Sequence, residues 1–133
     1  MIQKSFTGKS SQAGTRSYTA GQLGEDLALR FLTRKGYRLM ERNFRIRGGE
    51  IDLIMEKDGI LVFVEVKLRK GSNFGPPEEA LTPMKIRRIL RAICHYRSER
   101  PQKNRRWRCD CIAIEMAKPG TANIKHITDI FSL

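Results

Sequence analysis

Apolar positions along this chain follow two rhythms, one helical and one alternating. Leu23, Leu27, Ala28, Phe31 and Leu32 recur at helical spacing, and Thr19-Ala-Gly-Gln22 just before them has the form of a capping box. Gly36 stands where such a helix would stop. Tyr37 to Ile46 reads as a strand bearing Arg38, Arg42 and Arg45, with Arg47 just beyond, although its apolar and polar residues do not alternate cleanly. Gly48-Gly49 breaks it. Two apolar runs follow, Glu50 to Met55 and Leu61 to Leu68, and the Asp58-Gly59 pair between them is the strongest short-range hairpin signal a sequence offers.

In the second run Val62, Val64, Val66 and Leu68 share one face, while Leu61, Phe63, Glu65 and Lys67 share the other. A strand apolar on both faces until its last turn is covered on both sides, which predicts a central position in the sheet. Gly71 to Pro77 reads as a loop. A second helix is predicted from about Pro83 to Arg97, with Met84, Ile86, Ile89, Leu90 and Ile93 on its apolar side. Pro101 to Arg106 is a basic loop, and Arg108 to Met116 and Ile124 to Phe131 read as two further strands around a Lys118-Pro-Gly-Thr121 turn. The predicted fold class is α/β in the order α-β-β-β-α-β-β, a mixed β-sheet flanked by helices. Residues 1–18, rich in Ser, Thr, Gly and Lys, read as a mobile tail ahead of a single domain over 19–133.

The hairpin has a chemical consequence. A two-residue turn at Asp58-Gly59 pairs Lys57 with Ile60 and, counting outward, Asp52 with Glu65. Two carboxylates then face each other with Cβ atoms roughly 4.5–5.5 Å apart, where like charges destabilise. Burying them unpaired costs more still. A divalent cation offsets this most simply, so Mg²⁺ or Mn²⁺ held by carboxylate oxygens is the expected cofactor. Lys67 projects from the same face as Glu65 and reads as an electrostatic and positioning residue rather than a free base. Glu25 lies off the apolar stripe of the first helix and is expected to reach the same cluster, directly or through water.

Charge narrows the choice of partner. The chain carries 26 Lys and Arg against 14 Asp and Glu in 133 residues, a formal net charge of +12. A small protein this basic is expected to bind polyanions, because neutralising phosphates releases counterions. From Lys85 to Arg108, ten basic residues stand against a single acid, Glu99, an imbalance that argues for phosphate contacts. Arg47, Arg69, Lys85, Arg88, Arg105 and Arg106 are the candidate nucleic-acid-binding residues, and Lys85 and Arg88 share a helical face that could approach the carboxylates. Trp107 reads as core or half-buried rather than as a base-stacking platform. His95 and His126 read as structural, and Glu50 as solvated or paired with Arg47. Cys94, Cys109 and Cys111 fit no disulfide framework and no zinc spacing, and read as reduced thiols. No run approaches the roughly 18 apolar residues of a membrane helix. The N-terminus lacks the apolar core of a secretory signal, so a cytoplasmic protein with no membrane partner is expected.

Three segments carry a resemblance. Gly21-Gln-Leu-Gly-Glu-Asp-Leu-Ala28, Gly49-Glu-Ile-Asp-Leu-Ile54 and Val62-Phe-Val-Glu-Val-Lys-Leu-Arg69 together resemble the YraN-like family of uncharacterised bacterial proteins, over about Gly21 to Glu115. That family looks like the restriction-endonuclease-like superfamily and is similar to archaeal Holliday-junction resolvases. The resemblance implies a restriction-endonuclease-like core, with Asp52 and Glu65 as metal ligands, the Val66 carbonyl as a third, Lys67 as the motif lysine and Glu25 as the helix glutamate. It also implies a homodimer, as is usual for resolvase-like enzymes. Ile51 replaces the proline that often precedes the motif Asp. The expected function is a Mg²⁺- or Mn²⁺-dependent endonuclease hydrolysing phosphodiester bonds of DNA, with branched or structured DNA as substrate. The alternative is a nucleic-acid-binding protein that retains a nuclease fold without cleaving. Arginine contacts to a backbone do not by themselves distinguish DNA from RNA.

Overall fold

Thr19 opens the first helix, α1 (Ala20–Arg34), in the computed structural model of the chain. Its side chain accepts the Gln22 N–H, and the Gln22 side chain accepts the Thr19 N–H, so the capping box forms as the sequence predicts. The structure describes residues 18–71, 75–100 and 105–132. Most of the segment read as a tail, part of the loop after Gly71 and most of the basic loop, Lys103 included, lie outside those residues.

The remaining elements are β1 (Arg38–Ile46), β2 (Gly49–Lys57), β3 (Ile60–Lys70), α2 (Pro83–Ser98), β4 (Trp107–Lys118) and β5 (Thr121–Ile127), with short 3₁₀ turns at Pro77–Ala80 and Ile130–Ser132. Their order is the predicted one. The last strand is shifted from the predicted Ile124–Phe131: it starts at Thr121 and stops at Ile127. Asp129 takes a left-handed backbone (φ 53°) that turns the chain into the 3₁₀ segment, and Phe131 there packs edge-on against Trp107.

The five strands form one sheet in the order β1-β2-β3-β4-β5, with β3 in the middle as its two-sided apolar pattern demands. Only β3 and β4 run parallel, and α2 is the crossover between them. Each face of the sheet has its own core. Ile54, Phe63, Ile89, Ile93, Tyr96 and Cys109 belong to the core on the α2 side, while Ala28, Leu32, Leu53, Val62, Val64 and Ile112 belong to that on the α1 side. No helix among the described residues is long and apolar enough to cross a membrane.

Two close approaches hold the helices at the sheet. Gly24 of α1 rests on β3, where an added Cβ would lie 3.1 Å from the Leu68 Cβ. Gly49 begins β2 under α2, where an added Cβ would lie 2.6 Å from the Arg88 carbonyl oxygen and 3.0 Å from the Ala92 nitrogen. Those neighbours are helix backbone and cannot turn aside. Gly49→Ala is therefore expected to push α2 outward and to lower unfolding free energy by about 1–3 kcal/mol, read by chemical denaturation.

The uneven alternation of β1 has a structural cause. Arg42 meets Glu25 and Asp26 of α1, yet Phe44, two residues on, packs edge-on against Tyr96 of α2. A regular strand would put both on one face. The switch falls at Asn43, which adopts φ 51°, a left-handed conformation that Asn tolerates better than most residues. The partner strand switches at the same height: Ile51 belongs to the α2-side core and Leu53 to the α1-side core. Their partners are Phe44 and Arg42. Asp52, between them, thus occupies the point where the β1–β2 ribbon exchanges its faces.

Candidate active site

The turn at Asp58-Gly59 forms as two residues with φ 52° and 79°, pairing Lys57 with Ile60. The ladder runs outward from there and ends at Leu53 and Val64. One step further, where the register brings Asp52 level with Glu65, the backbone pairing gives way. The Asp52 carboxylate accepts the Val66 N–H at 2.8 Å. An aspartate at the face switch, aimed sideways at its neighbour strand, replaces a main-chain carbonyl and reaches the middle of β3, where Glu65 sits.

Glu65 is only 5 % exposed. It emerges from β3 on the α2 side, next to Cys111 in the parallel ladder. Lys85, in the first turn of α2, places its Nζ 3.1 Å from one Glu65 oxygen, Oε2. The other oxygen, Oε1, is buried and has no hydrogen-bond donor. Burial first, and the Asp52 carboxylate second, push the Glu65 carboxyl from its ordinary 4.5 to about 7, against the opposing pull of Lys85. Asp52 is pushed upward as well, by burial and by the charge of Glu25, although its bond from Val66 opposes the shift. Burial works against the charge of Lys85, but Glu65, Asp52 and Glu50 outweigh it and raise that pKa.

This pair carries a stability signature. A carboxyl with a raised native pKa binds protons more tightly folded than unfolded, so stability falls as pH rises from about 4.5 through about 7 and is level above. The full drop is on the order of 3 kcal/mol. Urea denaturation across pH 5 to 8 in EDTA is expected to show the fall, and Glu65→Gln to remove the part that Glu65 contributes.

The expected site residues do not all converge. Asp52 and Glu65 do. Glu25 instead pairs with Arg42 at 3.4 Å, while the same guanidinium holds Asp26 at 2.9 Å. Among the described residues no three His, Cys, Asp or Glu side chains close into a metal cage, and Glu25 is engaged by Arg42 rather than by Asp52 or Glu65. Glu25 acts on Asp52 through its field. Lys67 is exposed, and the cation engaging Glu65 is Lys85. Glu50 pairs with Arg88 at 3.7 Å, not with Arg47.

Two of the arginines expected on nucleic acid are built into the fold. Arg69, 15 % exposed, pairs with Glu115 at 3.2 Å. Arg105, 16 % exposed, pairs with Glu56 and donates to the Gly59 carbonyl at 3.2 Å, fastening the hairpin turn to the approach of β4. Arg47 and Arg106 are exposed as expected. Trp107 is half-buried against Phe63, with the Arg97 guanidinium over its ring. Cys109 and Cys111 are buried thiols on the α2 side, and burial pushes the Cys111 thiol up to about 12.

Sequence reasoning missed the most buried charge, Asp110. It is fully buried and accepts from Arg108 at 3.0 and 3.2 Å, from the Asp129 N–H at 2.9 Å and lies 2.8 Å from the His126 ring. The signal was present: an aspartate between Cys109 and Cys111 in an apolar strand must find partners, and Arg108 lies two residues away on the same face.

The two carboxylates, the orphaned Glu65 oxygen and the hard-oxygen donor set fit a divalent cation such as Mg²⁺, which needs few protein ligands because it keeps water. Comparison with known proteins shows a family. The family model described as uncharacterised protein family UPF0102 matches residues 24–114, a span holding Glu25, Asp52, Glu65, Lys67 and Lys85. A UPF0102 protein of Pelobacter propionicus is 41% identical over 126 residues, 93% of this chain and 90% of its own. One of Syntrophomonas wolfei is 43% identical over 111 residues, covering 84% of this chain and 96% of its own. One of Thermus thermophilus reaches 57% identity over a shorter stretch of 72 residues. The resemblance to the YraN-like family is thereby borne out, and the chain belongs to the uncharacterised protein family UPF0102.

Proposed function

We propose that this protein is a divalent-cation-dependent endonuclease that hydrolyses phosphodiester bonds of DNA, with branched or structured DNA as the preferred substrate. The observation that carries the reading is the half-buried Asp52 beside the buried Glu65, where burial and the Asp52 charge push the Glu65 carboxyl up and one Glu65 oxygen has no hydrogen-bond partner, a strain that a bound cation would relieve. Asp52 and Glu65, with the Val66 carbonyl, would hold Mg²⁺ or Mn²⁺. A cation bound there supplies a clamp for the scissile phosphate, a bound water of lowered pKa and compensation for transition-state charge. Lys67, exposed two residues beyond Glu65, would orient the attacking water and meet charge developing on the phosphate. Glu25, held by Arg42, tunes Asp52 from the other face. The net charge of +12 favours backbone contacts, with Arg47, Arg106 and the α2 arginines at the surface.

Membership of the restriction-endonuclease-like superfamily and action as a cytoplasmic homodimer belong to this same reading. Its test is a cleavage panel of junction, flap, duplex and single-stranded DNA with Mg²⁺ or Mn²⁺, wild type beside Asp52→Ala and Lys67→Ala. Metal-dependent cleavage absent from both variants supports the enzyme. No cleavage of any substrate by wild type removes it.

A second reading, a nucleic-acid-binding protein without turnover, is favoured by one feature: Lys85 already partly neutralises Glu65. It predicts salt-sensitive binding that Asp52→Ala leaves intact or strengthens.

A further inference from the structure

Two lysines stand near Glu65, and the one the sequence singles out is not the one that touches it. Lys85 belongs to α2, and its backbone N–H donates to the Thr82 side chain at 3.2 Å, so its Cα is fixed by the helix cap. Its side chain is a third exposed and ends on a flexible four-carbon stem. A single ammonium undercompensates this cluster. It reaches one oxygen of Glu65, leaves the other without a donor, and faces the charges of Asp52 and Glu50 besides. A divalent cation brings twice the charge to the same oxygens and repels the ammonium. The side chain has solvent to move into, at the N-terminal end of a 16-residue helix whose dipole favours anions. Arg88 lies one turn on, along the same helical face.

We propose that Lys85 is a displaceable counter-cation: it holds Glu65 in the cation-free protein, yields the carboxylate when a divalent cation binds beside Asp52, and then meets a phosphate of the nucleic acid. This rests on the cation site of the proposed function. Its consequence is an ordering: in the cation-free protein Lys85 is withheld from the polyanion, and metal and nucleic acid bind cooperatively through it.

A thermodynamic cycle on the whole protein tests this. Affinity for a labelled DNA duplex is measured for wild type and Lys85→Met, in Ca²⁺ and in EDTA, at pH 8. Met keeps the stem and removes the ammonium. A displaced Lys85 makes the substitution weaken binding about tenfold, 1.4 kcal/mol, in Ca²⁺ and less than twofold in EDTA. Equal factors in both conditions overturn the exchange, since a lysine fixed on Glu65 contributes alike with and without metal. Calorimetric Mn²⁺ titration is the second readout, on which Lys85→Met is expected to bind several-fold more tightly than wild type. Unchanged Mn²⁺ affinity also overturns the proposal. Wild type that binds no Mn²⁺ removes the cation site itself, and with it the exchange. Mn²⁺ binding lost in Asp52→Asn, together with equal factors in the DNA cycle, removes the exchange alone.

Discussion

Asp52→Asn is expected to stabilise the cation-free protein while removing the divalent-cation binding and the cleavage proposed for it. The two effects have one source. Asp52 and Glu65 repel each other in a buried setting, and Glu65 Oε1 has no donor. An asparagine at 52 keeps an oxygen for the Val66 N–H and gains an amide N–H that can turn toward Glu65. Satisfying a buried acceptor and deleting a like charge is worth about 1–3 kcal/mol, or roughly 5–10 °C in melting temperature. On the proposed function the same change would remove a charged ligand, so cleavage would fall by on the order of a thousandfold or more. Thermal denaturation in EDTA and cleavage in Mg²⁺ read the two effects separately. A variant less stable than wild type would show that Asp52 is a structural anchor, not a strained ligand.

The second large effect is purely structural. Asp110→Ala is expected to lose about 3–5 kcal/mol, because Arg108, His126 and the Asp129 N–H would all lose the buried carboxylate they share. Burial alone would raise the Asp110 carboxyl, but His126, Arg108 and the Asp129 N–H outweigh it and hold it below the usual range. The sign is opposite to that of Glu65. A depressed native pKa contributes stability that is fully present above about pH 4 and is lost as the pH falls below. Urea denaturation should therefore show Asp110→Ala with a flattened acid limb as well as a lower midpoint. Mn²⁺ affinity per folded molecule should be unchanged, since Asp110 lies on the α1 side of β4 and Glu65 opens toward α2. An unfolding free energy within about 1 kcal/mol of wild type would contradict this role of Asp110.

What the sequence makes legible is whatever depends on local chemistry. The Thr19 capping box, the Asp58-Gly59 turn and the central position of β3 all follow from residues within a few positions of one another. The Asp52–Glu65 pairing follows from the turn by counting. What stays hidden depends on how faces meet. The switch at Asn43 has no signature beyond an uneven alternation, yet it is what turns Asp52 sideways onto β3. Lys67 looks like the partner of Glu65 because strand neighbours two apart share a face, but Lys85 arrives through a crossover helix that spacing cannot place. Arg69 and Arg105 look like surface cations until Glu115 and Glu56 are brought beside them by strand pairing. Asp110 is the exception, legible from its apolar flanks and from Arg108 two residues away.

The central claim is that Asp52 and Glu65 form a cation site. Calorimetric titration of the purified protein with Mn²⁺ at pH 8 tests it most directly, with Asp52→Asn and Glu65→Gln alongside. Saturable binding to wild type, lost in both variants, is the expected result. Wild type that takes up no Mn²⁺, or variants that bind it as well as wild type does, would contradict it.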